Sequence, residues 1–364
     1  MKIFIIHASA GSGHKKIAEA IAEDVVSLYG KENARVIDVL DYTPSLFRFF
    51  YSQGYIFVIS RLKWLWSILF FLFDTRYLKL INDDARRFNN KLFCARFLDF
   101  IRKEHPDVII STHFLVNELI SYLKGKGDIK TKLLSIVTDF GVHNFWLAPN
   151  VDTYIAASYR TKDILISKNV PEEKIKVLGI PVRQQFRRKI DKTSAKQKLG
   201  INLNNFTVLI LTGGIGMGPI YEIVKILDKD INIVVICGSN QKLYSQLKEL
   251  NMPNLIVLGW IDYVQEVMAA SDIAVTKPGG STISECLMMD LPMIFFSIIP
   301  GQERQNAQII SESGLGFILE KPAKIKEKII YLKNNPQEVD QIKKKIESFR
   351  FIDSNQKILS LING

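Results

Sequence analysis

Short runs of β-branched and other apolar residues recur along the chain, and most are followed by a segment whose apolar side chains repeat at helical spacing. A run that is apolar at every position has to be buried on both faces, which is the condition of a parallel sheet covered by helices. Residues 2–7 read as the first such strand and residues 12–29 as the first helix, with Ile17, Ala18, Ile21, Ala22 and Val25 along one side. Further strands are expected at 34–38, 107–111, 133–138, 153–156 and 175–178, with helices at 82–104, 113–123 and 158–168. His105-Pro106 closes the long helix, because the residue before a proline is driven out of helical space.

Gly179-Ile-Pro181 ends this half, and the basic, polar stretch 183–205 reads as a linker with one short helix. The strand pattern then restarts at 206–211 and continues at 231–236, 255–258, 273–276, 293–296 and 317–319, before a lysine-rich helical region at 323–361. A length of 364 residues is enough for two α/β domains, each with its own core. The expected fold is therefore α/β, with two Rossmann-like domains, 1–182 and 206–340, and an interdomain cleft.

Composition narrows the functional classes. Apolar residues make up 47% of the chain and charged residues 23%, which excludes global disorder. Lys and Arg number 48 against 37 Asp and Glu, a net charge of +11 that suits nucleic acid, an anionic bilayer or a phosphorylated substrate. No nucleic-acid-binding motif is recognisable and the charge is dispersed, which disfavours the first. Cys94, Cys237 and Cys286 have no C-x-x-C spacing, so they give neither a disulfide framework nor a zinc signature and fit a reducing cytosol. The opening MKIFIIHASAGSGH reads as a buried strand rather than a signal peptide.

Residues 44–80 are the most unusual segment. Two apolar runs, 49–60 and 64–73, are separated by Arg61 and Lys63. Neither reaches the roughly 20 residues of a spanning helix, and joining them would put two cations at mid-membrane. The segment reads as one or two helices lying in a membrane interface, with Tyr51, Tyr55, Trp64 and Trp66 at headgroup depth. Arg61, Lys63, Arg76, Lys79, Arg86 and Arg87 would then face lipid phosphates. A buried helical hairpin or a dimer interface is the alternative.

In the first half the loop Ala8-Ser-Ala-Gly-Ser-Gly-His14 joins a strand to a helix. Gly11 and Gly13 permit a tight turn and close approach by a substrate. His14 falls at the helix start, on the strand-end edge where open α/β sheets place ligands. A histidine titrating near neutrality can take the proton of an attacking hydroxyl; the alternative is a histidine capping a turn. The spacing is not that of a P-loop. Thr138-Asp-Phe-Gly-Val-His143 and Ser111-Thr-His113 also follow strands, so Asp139, His113 and His143 can line the same rim, with Asp139 orienting a histidine or receiving the proton itself. Their flanking spacings match no metal-ligand pattern.

The second half carries Thr212-Gly-Gly-Ile-Gly-Met-Gly218, in which Gly214, Gly216 and Gly218 give a backbone able to cradle phosphate. It also carries Thr276-Lys-Pro-Gly-Gly-Ser-Thr-Ile-Ser-Glu285. There a strand ends in a turn through Lys277, Gly279 and Gly280, Ser281 and Thr282 can cap the next helix, and its positive terminus suits a diphosphate. Glu285, one turn inside, can accept two ribose hydroxyls. Pro300-Gly-Gln-Glu-Arg-Gln-Asn306 offers Gln302, Glu303 and Asn306 to sugar hydroxyls. Alternatively, Glu285 and Asn306 are ordinary cap and surface groups.

The order of these elements resembles the monogalactosyldiacylglycerol synthase and processive diacylglycerol β-glucosyltransferase family, a group similar to glycosyltransferase family 28. More distantly it resembles the undecaprenyl-linked muramyl-pentapeptide N-acetylglucosaminyltransferase. The resemblance spans almost the whole chain. It implies a GT-B fold and an inverting enzyme with no metal or other cofactor, in which a UDP-sugar (UDP-glucose or UDP-galactose) is a substrate and diacylglycerol the acceptor. It further implies peripheral attachment to the cytoplasmic face of a membrane, with anionic lipid as a docking partner. His14 then sits at the acceptor and reacting centre, with Asp139 as the rival base. Glu285 meets the ribose, Gln302 and Glu303 the donor sugar with Asn306 alongside, and the backbone around Gly259-Trp260-Ile261 the uracil. Residues 1–182 become the acceptor and docking domain, 206–340 the UDP-sugar domain, and 341–364 a helix packing back on the first domain. The hinge and tail are compact beside larger members. A UDP-N-acetylglucosamine 2-epimerase on the same fold and a non-catalytic membrane-bound UDP-sugar sensor are the rival readings.

Overall fold

A computed structural model describes residues 1–9, 11–54, 90–211, 213 and 218–363. The chain divides into two compact units. The first comprises Met1–Arg183, Ile299–Gln305 and Asp353–Gly364, and the second Gln184–Ile298 and Asn306–Ile352.

The first unit is built on six strands: β1 (Ile3–His7), β2 (Ala34–Asp38), β3 (Val108–Ser111), β4 (Lys132–Ile136), β5 (Thr153–Ala156) and β6 (Ile175–Val177). Their order is β2-β1-β3-β4-β5-β6, and every neighbouring pair is parallel. The register sets Ile3 beside both Ala34 and Val108. All five residues of β1 and all four of β3 are buried, as continuous apolar runs in a covered parallel sheet require. Helix Ser12–Tyr29 buries the expected side, Ile17, Ala18, Ile21, Ala22 and Val25, and ends at Gly30, whose positive φ (88°) favours glycine. Of the expected helix 82–104, residues 82–89 lie outside the described residues. Its described end, Ala95–Glu104, buries Phe97, Leu98 and Ile101, each contributing about 1.5–3 kcal/mol by leaving water.

Helix Ser354–Asn363 also belongs to the first unit. Asn355, 1% exposed, fixes it there: its amide donates to the carbonyls of Ala20 (3.3 Å) and Val182 (3.2 Å) and to Asp24 Oδ2 (2.6 Å), and its Oδ1 accepts from Val182 N (3.3 Å).

The second unit repeats the plan with β7 (Phe206–Leu211), β8 (Ile231–Ile236), β9 (Leu255–Leu258), β10 (Ile273–Thr276), β11 (Met293–Phe295) and β12 (Gly316–Ile318), in the order β12-β11-β10-β7-β8-β9 and again all parallel. Residues 184–205 are built into it. Asp191 caps helix Lys192–Leu199 through Ser194 N (2.8 Å), and the buried ammonium of Lys196 donates to the carbonyls of Leu203 (3.1 Å) and Asn205 (2.7 Å). The lysine-rich helical end of the chain consists of three helices, Pro322–Asn334, Pro336–Phe349 and Ser354–Asn363. Pro336 starts the second because a proline lacks the N–H a helix interior needs but is tolerated in the first turn.

Candidate active site

In each sheet the first strand has neighbours that lead off in opposite chain directions, so strand order reverses beside it: between β1 and β3 in the first unit, and between β7 and β10 in the second. Such switch points leave a crevice at the carboxyl edge, where loops diverge. Four of the candidate loops follow these strands, and those carrying Asp139, Ile261 and Gln302 follow β4, β9 and β11.

In the first unit, Gly11 precedes helix Ser12–Tyr29 with extended backbone (φ 164°) and no atom within 4 Å of an added Cβ, and Gly13 lies in the helix's first turn. The conformational demand expected at Gly11 is therefore absent; the glycine leaves open space instead. The helix start has no side-chain cap. His14 is half-buried there, with Nδ1 2.6 Å from the carbonyl oxygen of Thr112 and 3.1 Å from Thr138 Oγ1. The Thr112 hydroxyl donates to the carbonyl of His14 (3.1 Å). Burial pushes the His14 imidazole down to about 4, because the cation would be poorly solvated, and the bond to the Thr112 carbonyl opposes this; the near-neutral titration expected from the sequence is thereby corrected.

His113 and His143 have other duties. Each precedes a helical turn, and its Nδ1 accepts a backbone N–H: from Leu115 to His113 and from Phe145 to His143, both 3.1 Å. The turn-capping role considered for His14 is thus filled by these two. The His113 ring stands edge-on to His14, with centroids 4.6 Å apart. Burial, then the proximity of His14 and His7, holds His113 well below the usual histidine range. His7, at the end of β1, is lowered by burial against the opposing pull of Asp38. Nothing in its sequence context marked His7, which looks like one more strand residue. Asp139 is buried, and its Oδ2 accepts from Gln302 Nε2 (3.3 Å).

In the second unit the Lys277-Pro-Gly-Gly280 turn is held from several sides. Gly279 N donates to the Lys277 carbonyl (2.9 Å), as does Thr276 Oγ1 (3.3 Å), and the fully buried Asn306 donates through Nδ2 to the Pro278 carbonyl (3.1 Å). Asn306 therefore supports the turn from beneath. The helix that follows, Gly280–Met288, is preceded by Gly279 and has no side-chain cap. Ser281 and Thr282 lie within its first turn, which corrects the expectation that they cap it: the first helical bond runs from Ile283 N to the Gly279 carbonyl (2.9 Å), so Gly279 holds the cap position. An uncapped helix start suits an anion. Glu285 is buried in the same helix. Gly213 (φ 70°) and Gly218 (φ 128°) take left-handed backbone after β7, and a Cβ on Gly218 would come 2.8 Å from the Phe296 ring. Gly214 and Gly216 lie outside the described residues. Ile261 follows β9 and is half-buried beside the exposed Trp260.

Gln302 and Glu303 open helix Gln302–Glu312 in the segment that groups with the first unit, and Glu303 Oε2 accepts from Ile299 N (2.8 Å). One carboxylate oxygen thus fastens the loop before its own helix. Of the expected docking residues, Tyr55, Arg61, Lys63, Trp64, Trp66, Arg76, Lys79, Arg86 and Arg87 lie outside the described residues. Tyr51 is half-buried against Phe47 (5.5 Å between centroids) and beside His113 (6.1 Å). Leu46 (68% exposed), Phe49 (58%), Phe50 (62%) and Leu92 (61%) present apolar surface. Among the described residues, no helix is long and apolar enough to cross a membrane, and no three His, Cys, Asp or Glu side chains are grouped to hold a metal.

This two-sheet arrangement is the GT-B fold. The crystal structure of MurG from Acinetobacter baumannii matches it with a TM-score of 0.63 at 15% identity, covering 100% of this chain and 99% of that one. A UDP-GlcNAc 2-epimerase from Neisseria meningitidis, solved bound to UDP-GlcNAc, matches with a TM-score of 0.61 at 14% identity over 100% of both chains. At such identities the likeness establishes the fold alone. Residues 14–182 match the monogalactosyldiacylglycerol (MGDG) synthase family, and residues 190–358 the glycosyltransferase family 28 C-terminal domain. A processive diacylglycerol beta-glucosyltransferase from Staphylococcus epidermidis is 30% identical over 367 residues, covering 98% of this chain and 91% of the relative. The chain belongs to the monogalactosyldiacylglycerol synthase and processive diacylglycerol β-glucosyltransferase family.

Proposed function

We propose that the protein moves a hexose, glucose or galactose, from a UDP-sugar to the hydroxyl of diacylglycerol with inversion at C1, giving a β-glycosyldiacylglycerol. The observation that carries this reading is His14: a neutral imidazole at the strand-end crevice of the first unit, anchored through one nitrogen and left with the other for a substrate. Family membership supplies the substrate classes.

In the proposed reaction the lipid hydroxyl gives its proton to His14 Nε2 as its oxygen bonds to C1. The bond from C1 to the β-phosphate oxygen breaks, and the electron pair leaves with UDP. Amides of the helix start at Gly280, Ser281 and Thr282 and of the Gly218 loop stabilise the charge that develops on the diphosphate. Glu285 accepts ribose hydroxyls, Ile261 lies by the uracil, and Gln302 and Glu303 meet the sugar, with Lys277 and Gly279 shaping the turn that Asn306 supports. Asp139, bound by Gln302, is the rival base. Leu46, Phe49 and Phe50 enter the interface of a bilayer whose anionic lipids attract the basic flanks, which keeps the protein peripheral at the cytoplasmic face.

Radiolabelled UDP-glucose and UDP-galactose, supplied separately to the protein with diacylglycerol vesicles, test the reading. Chloroform-soluble label as a β-glycolipid is the expected product. Free epimerised UDP-sugar, or UDP-sugar binding with no product, overturns it in favour of an epimerase or a sensor.

A further inference from the structure

We infer that Thr138 is a positioning residue which, together with the main-chain carbonyl of Thr112, locks His14 into the tautomer a base requires. The inference rests on the reading of His14 as the base and goes beyond it by naming what makes that ring fit for the role.

A carbonyl oxygen has no proton to give. At 2.6 Å from the Thr112 oxygen, Nδ1 of His14 therefore carries the hydrogen, and Nε2 is left with a lone pair. Thr138 Oγ1, 3.1 Å from the same nitrogen, takes a second share of that N–H. The Thr112 hydroxyl closes the arrangement by donating to the carbonyl of His14 at 3.1 Å, which ties the start of the helix to the loop after β3. The ring cannot turn over without breaking contacts to two separate loops.

The neighbouring histidines provide the contrast. Nδ1 of His113 and of His143 each faces a backbone N–H and must be bare, so those rings carry hydrogen on Nε2 if neutral. Of His14, His113 and His143, all at one edge of one sheet, two are given a donor and one is given a carbonyl. Only the last has its outward nitrogen free to receive a proton. When it does, one proton passes from the substrate hydroxyl to Nε2, Nδ1 keeps its own throughout, and the bonds to the two threonines become charge-assisted and stronger. Two neutral oxygens thereby do what a carboxylate does in a Ser-His-Asp triad.

Nuclear magnetic resonance of protein labelled with 15N-histidine reads the tautomer directly in the wild-type chain, with His14→Ala identifying the signal. At neutral pH the expected result is a protonated Nδ1 and a bare Nε2 at His14. In the vesicle assay, Thr138→Val should lower kcat roughly tenfold or more, with UDP affinity and donor KM unchanged, and Thr138→Ser should restore it. A proton on Nε2, a Thr138→Val enzyme with wild-type kcat, or parallel losses of UDP affinity and kcat that serine does not rescue would overturn the clamp. Full turnover by His14→Ala would instead remove the base reading itself.

Discussion

His7, His14 and His113 are each held below the ordinary histidine range chiefly by burial, and this has a definite consequence for stability. Below about pH 6.5 the unfolded chain takes up protons at these positions while the folded chain does not. Their contribution is fully present above that pH and is lost as pH falls towards the folded-state value, about 4 for His14. The urea midpoint is expected to move to lower urea between pH 7 and pH 5, as the unfolding free energy falls by up to about 1.4 kcal/mol per pH unit for each histidine. A level midpoint across that window would contradict the burial. Catalysis should behave differently: with His14 neutral down to about pH 4, kcat should stay nearly level from pH 7.5 to 5.5, and an acid limb centred near 6.5 would count against His14 as the base. These residues show what the sequence made legible. The position of His14 at a strand-to-helix junction was readable from the run before it, whereas its tautomer was not, because Thr112 and Thr138 lie far along the chain and meet it only in the folded sheet.

At the level of elements, helix Ser354–Asn363 is tied to the first unit by the buried Asn355 amide, with Ser354 Oγ donating to the Gly179 carbonyl (3.3 Å). Replacing Asn355 with Ala strips partners from Val182 N and from the carbonyls of Ala20 and Val182, and should cost about 2–4 kcal/mol in chemical denaturation. A loss below about 0.5 kcal/mol would show that packing of Ile358, Leu359 and Ile362 alone holds the helix. Around helix Ser45–Phe49, the exposed Phe49 and Phe50 give a second prediction. The double change Phe49→Ser, Phe50→Ser should weaken partitioning onto anionic vesicles about a hundredfold or more while leaving UDP affinity in solution unchanged, since about 1.5–3 kcal/mol per aromatic is lost on removing its insertion. Undiminished flotation would place docking elsewhere. Strands were legible because β-branched runs announce burial on both faces. Helix starts were less so: Ser281 and Thr282 have the right chemistry for caps, but the bond from Ile283 N to the Gly279 carbonyl begins the helix before them.

At the scale of the whole molecule, the two parallel sheets follow from a pattern that restarts once along the chain, and the sequence carried that plan plainly. Residue patterns alone do not carry the grouping of distant segments, although the family resemblance implied the return of the last helix to the first domain. Ile299–Gln305 and Asp353–Gly364 join the first unit across more than a hundred intervening residues, through contacts such as Gln302 with Asp139 and Asn355 with Val182. On the proposed reading the units divide the chemistry, the first supplying the base and the second binding the diphosphate and ribose. The most direct measurement pairs UDP titration calorimetry with lipid-extracted turnover for His14→Ala and Glu285→Gln. The expected result is a His14→Ala protein that binds UDP like the wild type but turns over about 100-fold more slowly or worse, and a Glu285→Gln protein whose UDP affinity falls about tenfold or more. Loss of UDP binding in His14→Ala, or unchanged UDP affinity in Glu285→Gln, would contradict that division of labour.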